Sequence, residues 1–343
     1  MTYLQESRDL GQRKPGVKTA GARFAFLGPR LFALVLLAAA SQRACAQDGK
    51  LVDAVAVTLD EQVVQAMKVH TPDIQSVLER VDLKTITYLS DGLKVKGYLA
   101  TPTQGDNLPC VIFNRGGNRE FGALDDRDAA YFLARIASWG YVVVASQYRG
   151  NAGGEGKEEY GGRDVDDVLN LLPLLKSLPQ ADATRVGMVG WSRGGMMTYL
   201  ALRKTDQIAA AVVASGAADA SDFSLGQPGL ERHVYAELIP DYARNKRAAL
   251  AARSAVRWAD QLNKSTPILL LHGAADWRVD LRQALAMASR LYEFKHPFRL
   301  IVFEGGNHSL TEHRAEVDRV IRDWLDRYVR DKQPWPNPVP HGE

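Results

Sequence analysis

The sequence predicts an α/β fold in which a mostly parallel central sheet carries helices on both faces. Three observations lead to it. From residue 109 onward, apolar runs of strand length alternate with amphipathic runs of helix length. The strand runs, such as VVVAS and ILLLHG, are apolar throughout, as expected of strands buried on both faces. The clear hairpin signal, Ser90-Asp91-Gly92 between two β-rich runs, falls before that region.

Residues 1–46 read as a secretory signal peptide. A basic stretch precedes the apolar run Leu31–Ala40, and Ala44-Cys45-Ala46 forms an A-x-A-like cleavage site before Gln47. The apolar run is short for a bilayer span, so stable membrane insertion after cleavage is not expected. The exported protein would be periplasmic or secreted. Cleavage would leave Cys110 as the remaining cysteine, with no internal disulfide and a place for that thiol in the core.

Residues 47–108 form an N-terminal segment with a helix around Glu61–Lys68, followed by the hairpin ITYLSDG and LKVKGYLATP. Residues 109–330 form the main α/β domain. In order, the sequence predicts strand PCVIFN, helix Asp126–Ala137, strand YVVVAS and helix Asp164–Leu178, bent or ended early by Pro173. Strand RVGMVGW, helix Gly194–Leu202 and strand IAAAVVA follow. After them come strand ILLLHG, helix Arg282–Tyr292, strand FRLIVFEG and helix Glu312–Tyr328. Residues 217–262 break the rhythm as a polar helical insertion, expected to cap the strand ends where open α/β sheets bind ligands. The tail, residues 331–343, is Pro-rich.

Length allows one large α/β domain or two small ones, and the composition is ordinary for a soluble globular protein. The formal charge of +3 comes from the leader, where seven basic side chains face two acidic ones. The remainder is slightly acidic and has no basic stripe interleaved with aromatics, so nucleic acid is not an expected partner. No His pair has metal-ligand spacing, and the Gly-rich stretch at 149–154 lacks the pattern of a phosphate loop or dinucleotide fingerprint. No cofactor and no metal are therefore expected.

Gly190-Trp191-Ser192-Arg193-Gly194 fits G-x-S-x-G, with an apolar strand before it and a helix after it. That is the strand–turn–helix of a nucleophile elbow, which points to the α/β-hydrolase fold. Gly190 and Gly194 would let neighbouring backbone pass, and Gly195 would let the helix approach the sheet. Ser192 would be the nucleophile. A serine hydroxyl needs a base to take its proton, and in this fold the order is Ser, acid, His. Asp276, just beyond ILLLHG, and His308, just beyond FRLIVFEG, supply acid and base at neighbouring strand ends. Asp280 competes for the acid role but suits a helix cap. His272 suits hydrogen bonding within its loop, and His313 falls on the last helix. The oxyanion hole would use the backbone N–H of Arg193 and the loop Arg115-Gly116-Gly117-Asn118. Trp191 and Tyr148 are candidate walls of a substrate pocket. Asp164 and Asp167 read as structural, since carboxylates are favoured at a helix start.

NRGGN, QYRGNAGGEG, GGRDVDDV, GWSRGG, HGAADWRV and GGNH occur in this order. Together they resemble the catalytic domain of the prolyl oligopeptidase family of serine peptidases over residues ~109–330. The resemblance implies Ser192, Asp276 and His308 as the triad and a short peptide as substrate. About 60 residues separate the leader from this domain, too few for the N-terminal β-propeller of many members. The well-known members also carry a Tyr in the oxyanion loop where this chain has Arg115. With both departures, a carboxylesterase or acyl esterase acting on small esters is the alternative. A third reading is a catalytically silent binding protein, which the intact Ser, Asp and His order disfavours.

Overall fold

The computed structural model describes residues 47–342. The expected leader, residues 1–46, lies outside them. Nine strands form one sheet: β1 Leu51–Ala56, β2 Val81–Ser90, β3 Leu93–Pro102, β4 Leu108–Asn114, β5 Val142–Ser146, β6 Ala181–Trp191, β7 Ala210–Ala214, β8 Ile268–Gly273 and β9 Phe298–Phe303. Their order across the sheet is β1-β2-β3-β5-β4-β6-β7-β8-β9. The β1–β2, β2–β3 and β3–β5 pairs are antiparallel, and the remaining pairs are parallel. The β2–β3 turn is a two-residue one with positive φ at Asp91 and Gly92, which suits the twist of a hairpin.

Strand alternation divides the core into two layers. Cys110, Ile112, Met188, Val213 and Leu270 face one side, and Val111, Phe113, Val189, Val212 and Leu269 face the other. The first side is covered by α4 (Asp164–Leu169), α5 (Leu171–Ser177), α6 (Arg193–Leu202) and α8 (Arg282–Glu293). The second is covered by α1 (Glu61–Met67), α2 (Ile74–Leu78), α3 (residues 126–137) and α9 (Arg314–Leu325). Cys110 is fully buried, and burial pushes its thiol up to about 12. Among the described residues no helix is long and apolar enough to cross a membrane.

The structure corrects several element boundaries. LVDAVA is the edge strand β1, paired on one side only and largely exposed, so no buried alternation marks it in the sequence. Ile74–Leu78 is a further short helix. The helix after residue 164 breaks at Asn170, three residues before Pro173. Proline has no N–H to give the carbonyl four residues earlier, so the ladder fails upstream of the ring. Gly49 packs into that break: a Cβ there would stand 2.6 Å from the Leu174 nitrogen and 2.8 Å from the Asn170 oxygen. The final helix starts at Arg314, and His313 sits in the 3-10 turn before it.

The chain runs from β4 to β5 on one side of β4 and then to β6 on the other. Open α/β sheets bind ligands outside the strand ends at such a reversal. Register pairs Asn114 with Gly190, so the residues that follow, Arg115-Gly116 and Trp191-Ser192, leave the sheet side by side. The insertion at 217–262 is helical, including α7 (Tyr242–Ala252), and it touches the loop after β4 through Arg119.

Candidate active site

Ser192 stands on the turn between β6 and α6 with φ 58° and ψ −123°. A non-glycine residue held there stores on the order of 1–3 kcal/mol of strain. Its neighbours enforce the geometry. The Ser192 N–H donates to the Ala214 carbonyl at 2.9 Å, and the Gly195 N–H donates to the Ser192 carbonyl at 2.9 Å. A Cβ on Gly194 would stand 1.9 Å from the Asn114 oxygen, and one on Gly190 would stand 2.2 Å from the Gly194 oxygen. On Gly195 it would meet Val213 at 2.7 Å. The tight turn therefore requires these glycines, as the sequence suggests.

Asp276 and His308 meet beyond β8 and β9. The His308 Nδ1–H donates to Asp276 Oδ2 at 2.8 Å, which leaves Nε2 as the accepting nitrogen. The other Asp276 oxygen accepts from the Arg278 and Val279 N–H groups, each at 2.9 Å. Burial of Asp276 favours its neutral form. The bond and charge of His308 and the two backbone donors outweigh burial, and the carboxyl is held below its usual value. The His308 carbonyl accepts from the Trp191 indole N–H at 3.0 Å, which ties the loop to the end of β6.

The competing residues take other partners, although His272 Nε2 lies 3.5 Å from Asp276 Oδ2 against 2.8 Å for His308 Nδ1. Asp280 caps α8 through the Arg282 N–H and pairs with the Arg282 side chain at the surface. The His272 Nε2–H donates to the Val279 carbonyl at 2.8 Å, and burial lowers its pKa, so this imidazole is a neutral strut of the Asp276 loop. His313 donates to the Glu304 carbonyl, away from Asp276.

Both suggested pocket walls are displaced. Tyr148 is fully buried beneath the loop after β4 and donates to the Arg115 carbonyl at 2.9 Å. Trp191 packs against Phe132 on the second face of the sheet. Tyr148 is thus covered by the loop, and Trp191 walls only a small internal void with Phe113, Phe132 and Val189.

The loop after β4 lies against the serine. A Cβ on Gly116 would stand 3.1 Å from Ser192 Cβ and 3.6 Å from its Oγ. The Arg115 side chain turns away into the loop, where its nitrogens donate to the carbonyls of Gly116, Arg119, Gly122 and Gln147. It is 1% exposed and has no carboxylate partner, so burial brings its pKa down to about 10. Asp164 and Asp167 are buried structural acids, paired with Arg193 and Arg149. Sequence reasoning missed Glu158, a buried carboxylate joined to Arg193, Asn151 and the Arg119 N–H. It also missed Phe121 and Trp277, exposed by 64% and 77% and bridged by the Arg278 guanidinium. Glu158 and Phe121 sit in no motif with a chemical signature, and Trp277 lies within HGAADWRV, where the neighbouring Asp276 carries the chemical signal. Among the described residues no group of three or more His, Cys, Asp or Glu is placed to hold a metal ion.

This arrangement can be set against known proteins. The model of the prolyl oligopeptidase family, Peptidase_S9, matches residues 128–332. The chain belongs to this family. Its members here include the uncharacterized peptidase YtmA of Bacillus subtilis, 29% identical over 249 residues, which are 72% of this chain and 94% of YtmA. The acylamino-acid-releasing enzyme of Rattus norvegicus is 27% identical over 251 residues, 67% of this chain but 33% of that enzyme. Among solved structures, a Mycobacterium tuberculosis puromycin-hydrolyzing peptidase superposes with a TM-score of 0.58 at 25% identity, over 69% of this chain and 38% of its own. Pyrococcus horikoshii acylaminoacyl peptidase superposes with a TM-score of 0.63 at 24% identity, over 76% of this chain and 43% of its own. The chain thus spans nearly all of YtmA and less than half of the others. The fold is the α/β-hydrolase fold, and the family makes the chain a serine hydrolase of the peptidase type.

Proposed function

We propose that this chain cleaves short peptides through an acyl-enzyme, with Ser192 as nucleophile, His308 as general base and Asp276 as the acid that orients it. The observation that carries the reading is the 2.8 Å bond from His308 Nδ1 to buried Asp276, made at the sheet edge where Ser192 stands on its strained turn. Asp276 holds the Nδ1–H tautomer and balances the imidazolium that forms. His308 Nε2 takes the Ser192 proton as Oγ attacks the carbonyl carbon. The oxyanion is held by the N–H groups of Arg193 and Gly116, the first of them at the N-terminus of α6. His308 then protonates the leaving amine, and water repeats the cycle to release the acid.

The relatives named for releasing acylamino acids and hydrolysing puromycin support a small peptide-like substrate. A second reading, ester cleavage, is favoured by Arg115. Its guanidinium is engaged within the loop, so the side-chain donor that a family Tyr would supply is missing. An alkoxide is a better leaving group than an amide anion, so esters tolerate the loss of that donor more readily than peptides do. Labelling with a fluorophosphonate tests the shared machinery, and the label must be found on Ser192. Chromogenic peptides run beside aryl esters decide the substrate; ester turnover with no peptide turnover would overturn the peptidase reading.

We also propose export, supported by the basic stretch, apolar run and A-x-A-like site of residues 1–46. N-terminal sequencing of protein from the native host is expected to begin near Gln47. A full-length chain in the cytoplasm would overturn it.

A further inference from the structure

Arg193 follows the nucleophile directly, and its side chain is almost completely buried. Its NH2 donates to Asp164 Oδ2 at 2.6 Å, and its NH1 donates to Glu158 Oε1 and to the Gly117 carbonyl, the latter at 2.9 Å. The guanidinium lies between two tyrosine rings, 4.8 Å from Tyr148 and 4.4 Å from Tyr160. Glu158 is 3% exposed and accepts from the Arg119 N–H at 2.9 Å and from Asn151 Nδ2 at 2.9 Å. One buried pair therefore touches both halves of the proposed oxyanion hole. Arg193 carries the first donor on its own backbone, and its side chain grips the carbonyl of Gly117, next to the second donor on Gly116. Glu158 grips the same loop two residues further on. Burying such a pair is costly unless every polar contact is made, and hydrophobic packing would serve stability as well. The placement of the pair suits alignment of the two donors.

We propose that Arg193 and Glu158 are positioning residues that fix the two oxyanion donors relative to each other. This rests on the oxyanion reading given above. The pair touches neither substrate nor reacting atoms, so it acts on kcat through the geometry of two backbone N–H groups. Complete loss of one donor costs about 10²–10³ in turnover, and misalignment is expected to cost roughly tenfold to a hundredfold.

The test uses Glu158→Gln and Arg193→Lys in the purified protein, with thermal unfolding as the check on folding. Glu158→Gln keeps an acceptor for the Arg119 N–H and removes the charge that orders Arg193. Arg193→Lys keeps the charge and removes the fork. For each variant, kcat, KM, the affinity of a peptide aldehyde and the affinity of the carboxylic acid product are measured. The aldehyde forms a tetrahedral adduct whose oxygen needs the hole, whereas the product needs only the ground-state site. Expected is a roughly tenfold to hundredfold fall in kcat and a parallel fall in aldehyde affinity, with KM and product affinity within about twofold. Glu158→Asp is expected to restore part of the loss. Folded variants with wild-type kcat and aldehyde affinity would overturn the proposal, as would losses that appear only in the unfolding midpoint. If Glu158→Gln does not fold, Arg193→Lys carries the same readouts. Failure of the wild-type protein to take a fluorophosphonate on Ser192 would instead sink the catalytic reading on which this rests.

Discussion

The loops that follow β4 and β8 leave the sheet at the same edge and are held by opposite means. The β4 loop is pinned by buried cations. Arg115 is saturated by backbone carbonyls alone, and Arg193 and Glu158 clamp the loop from behind. The β8 loop is pinned by a carboxylate, Asp276, which collects two backbone N–H groups and His308, with the neutral His272 as a strut beneath it, while its tip exposes Trp277. Buried charge makes the first loop a rigid backbone scaffold. In the second, the structural carboxylate is also the one proposed to orient the general base. Substitutions in the β4 loop should therefore split stability from turnover, and substitutions around Asp276 and its partners should not.

The largest expected effect is that of Ser192→Ala, a loss on the order of 10⁴–10⁶ in turnover. Alanine inherits the same strained φ, so the unfolding midpoint should barely move. Hydrolysis near the wild-type rate by the purified variant would end the mechanism.

Asp276→Asn should follow, with a fall of about 10³–10⁴, because the amide can no longer hold the His308 tautomer. Its stability cost should depend on pH with a definite sign. The folded carboxyl lies below its ordinary value, so its contribution is fully present above about pH 4 and is lost as pH falls through the folded value. The difference in unfolding midpoint between wild type and Asp276→Asn should shrink on acidification below pH ~4. A difference that stays constant down to pH ~2 would show that Asp276 ionisation is not what holds the β8 loop.

Arg115→Ala sharpens the contrast. It strips donors from the buried carbonyls of the β4 loop, so a loss of about 2–4 kcal/mol of stability is expected. Turnover of the folded fraction should change by about tenfold or less, and Arg115→Tyr should not improve it. A hundredfold fall in turnover with unchanged KM, rescued by Tyr, would make the side chain an oxyanion donor after all.

The smallest effect belongs to the exposed pair. Phe121 and Trp277 rise from the two contrasted loops and meet across Arg278. Truncating either should raise KM by roughly threefold to tenfold, in keeping with about 1 kcal/mol of lost apolar contact, and leave kcat and stability alone. An effect confined to kcat, or none at all, would mean that the pair is not a contact surface for substrate.

Much of this site is legible in the sequence because its parts obey local rules. The elbow glycines are dictated by backbone clashes one turn away, and strand ends that close on Asp and His are visible as apolar runs with a polar full stop. Asp276 stands out from Asp280 because the first is three residues past the end of a buried strand and the second is seven. β1 was not legible, since an exposed edge strand buries no alternating face. The break at Asn170 was expected at Pro173 because the ring is visible in sequence and the carbonyl that it orphans is not.

Tyr148 and Trp191 show the limit most clearly. By sequence alone, Trp191 beside Ser192, and Tyr148 in a loop that resembles one near the family's active site, both read as candidate pocket walls. In the fold, the Tyr148 hydroxyl lies under Arg115 and the Trp191 indole holds the carbonyl of His308.

The sequence by itself therefore determined the order of strands and helices from residue 81 onward, the elbow, and the three residues whose spacing places them at one sheet edge. Those depend on periodicity, turn sterics and chain order, which are local. Only the tertiary structure decided where the long polar side chains go. Glu158 and Arg193 are 35 residues apart and pair because two loops fold over each other. Arg115 turns inward because carbonyls from residues 116–122 and 147 surround it. A buried charge takes whichever partners the folded chain brings within hydrogen-bond reach, and no pattern along the sequence encodes that choice.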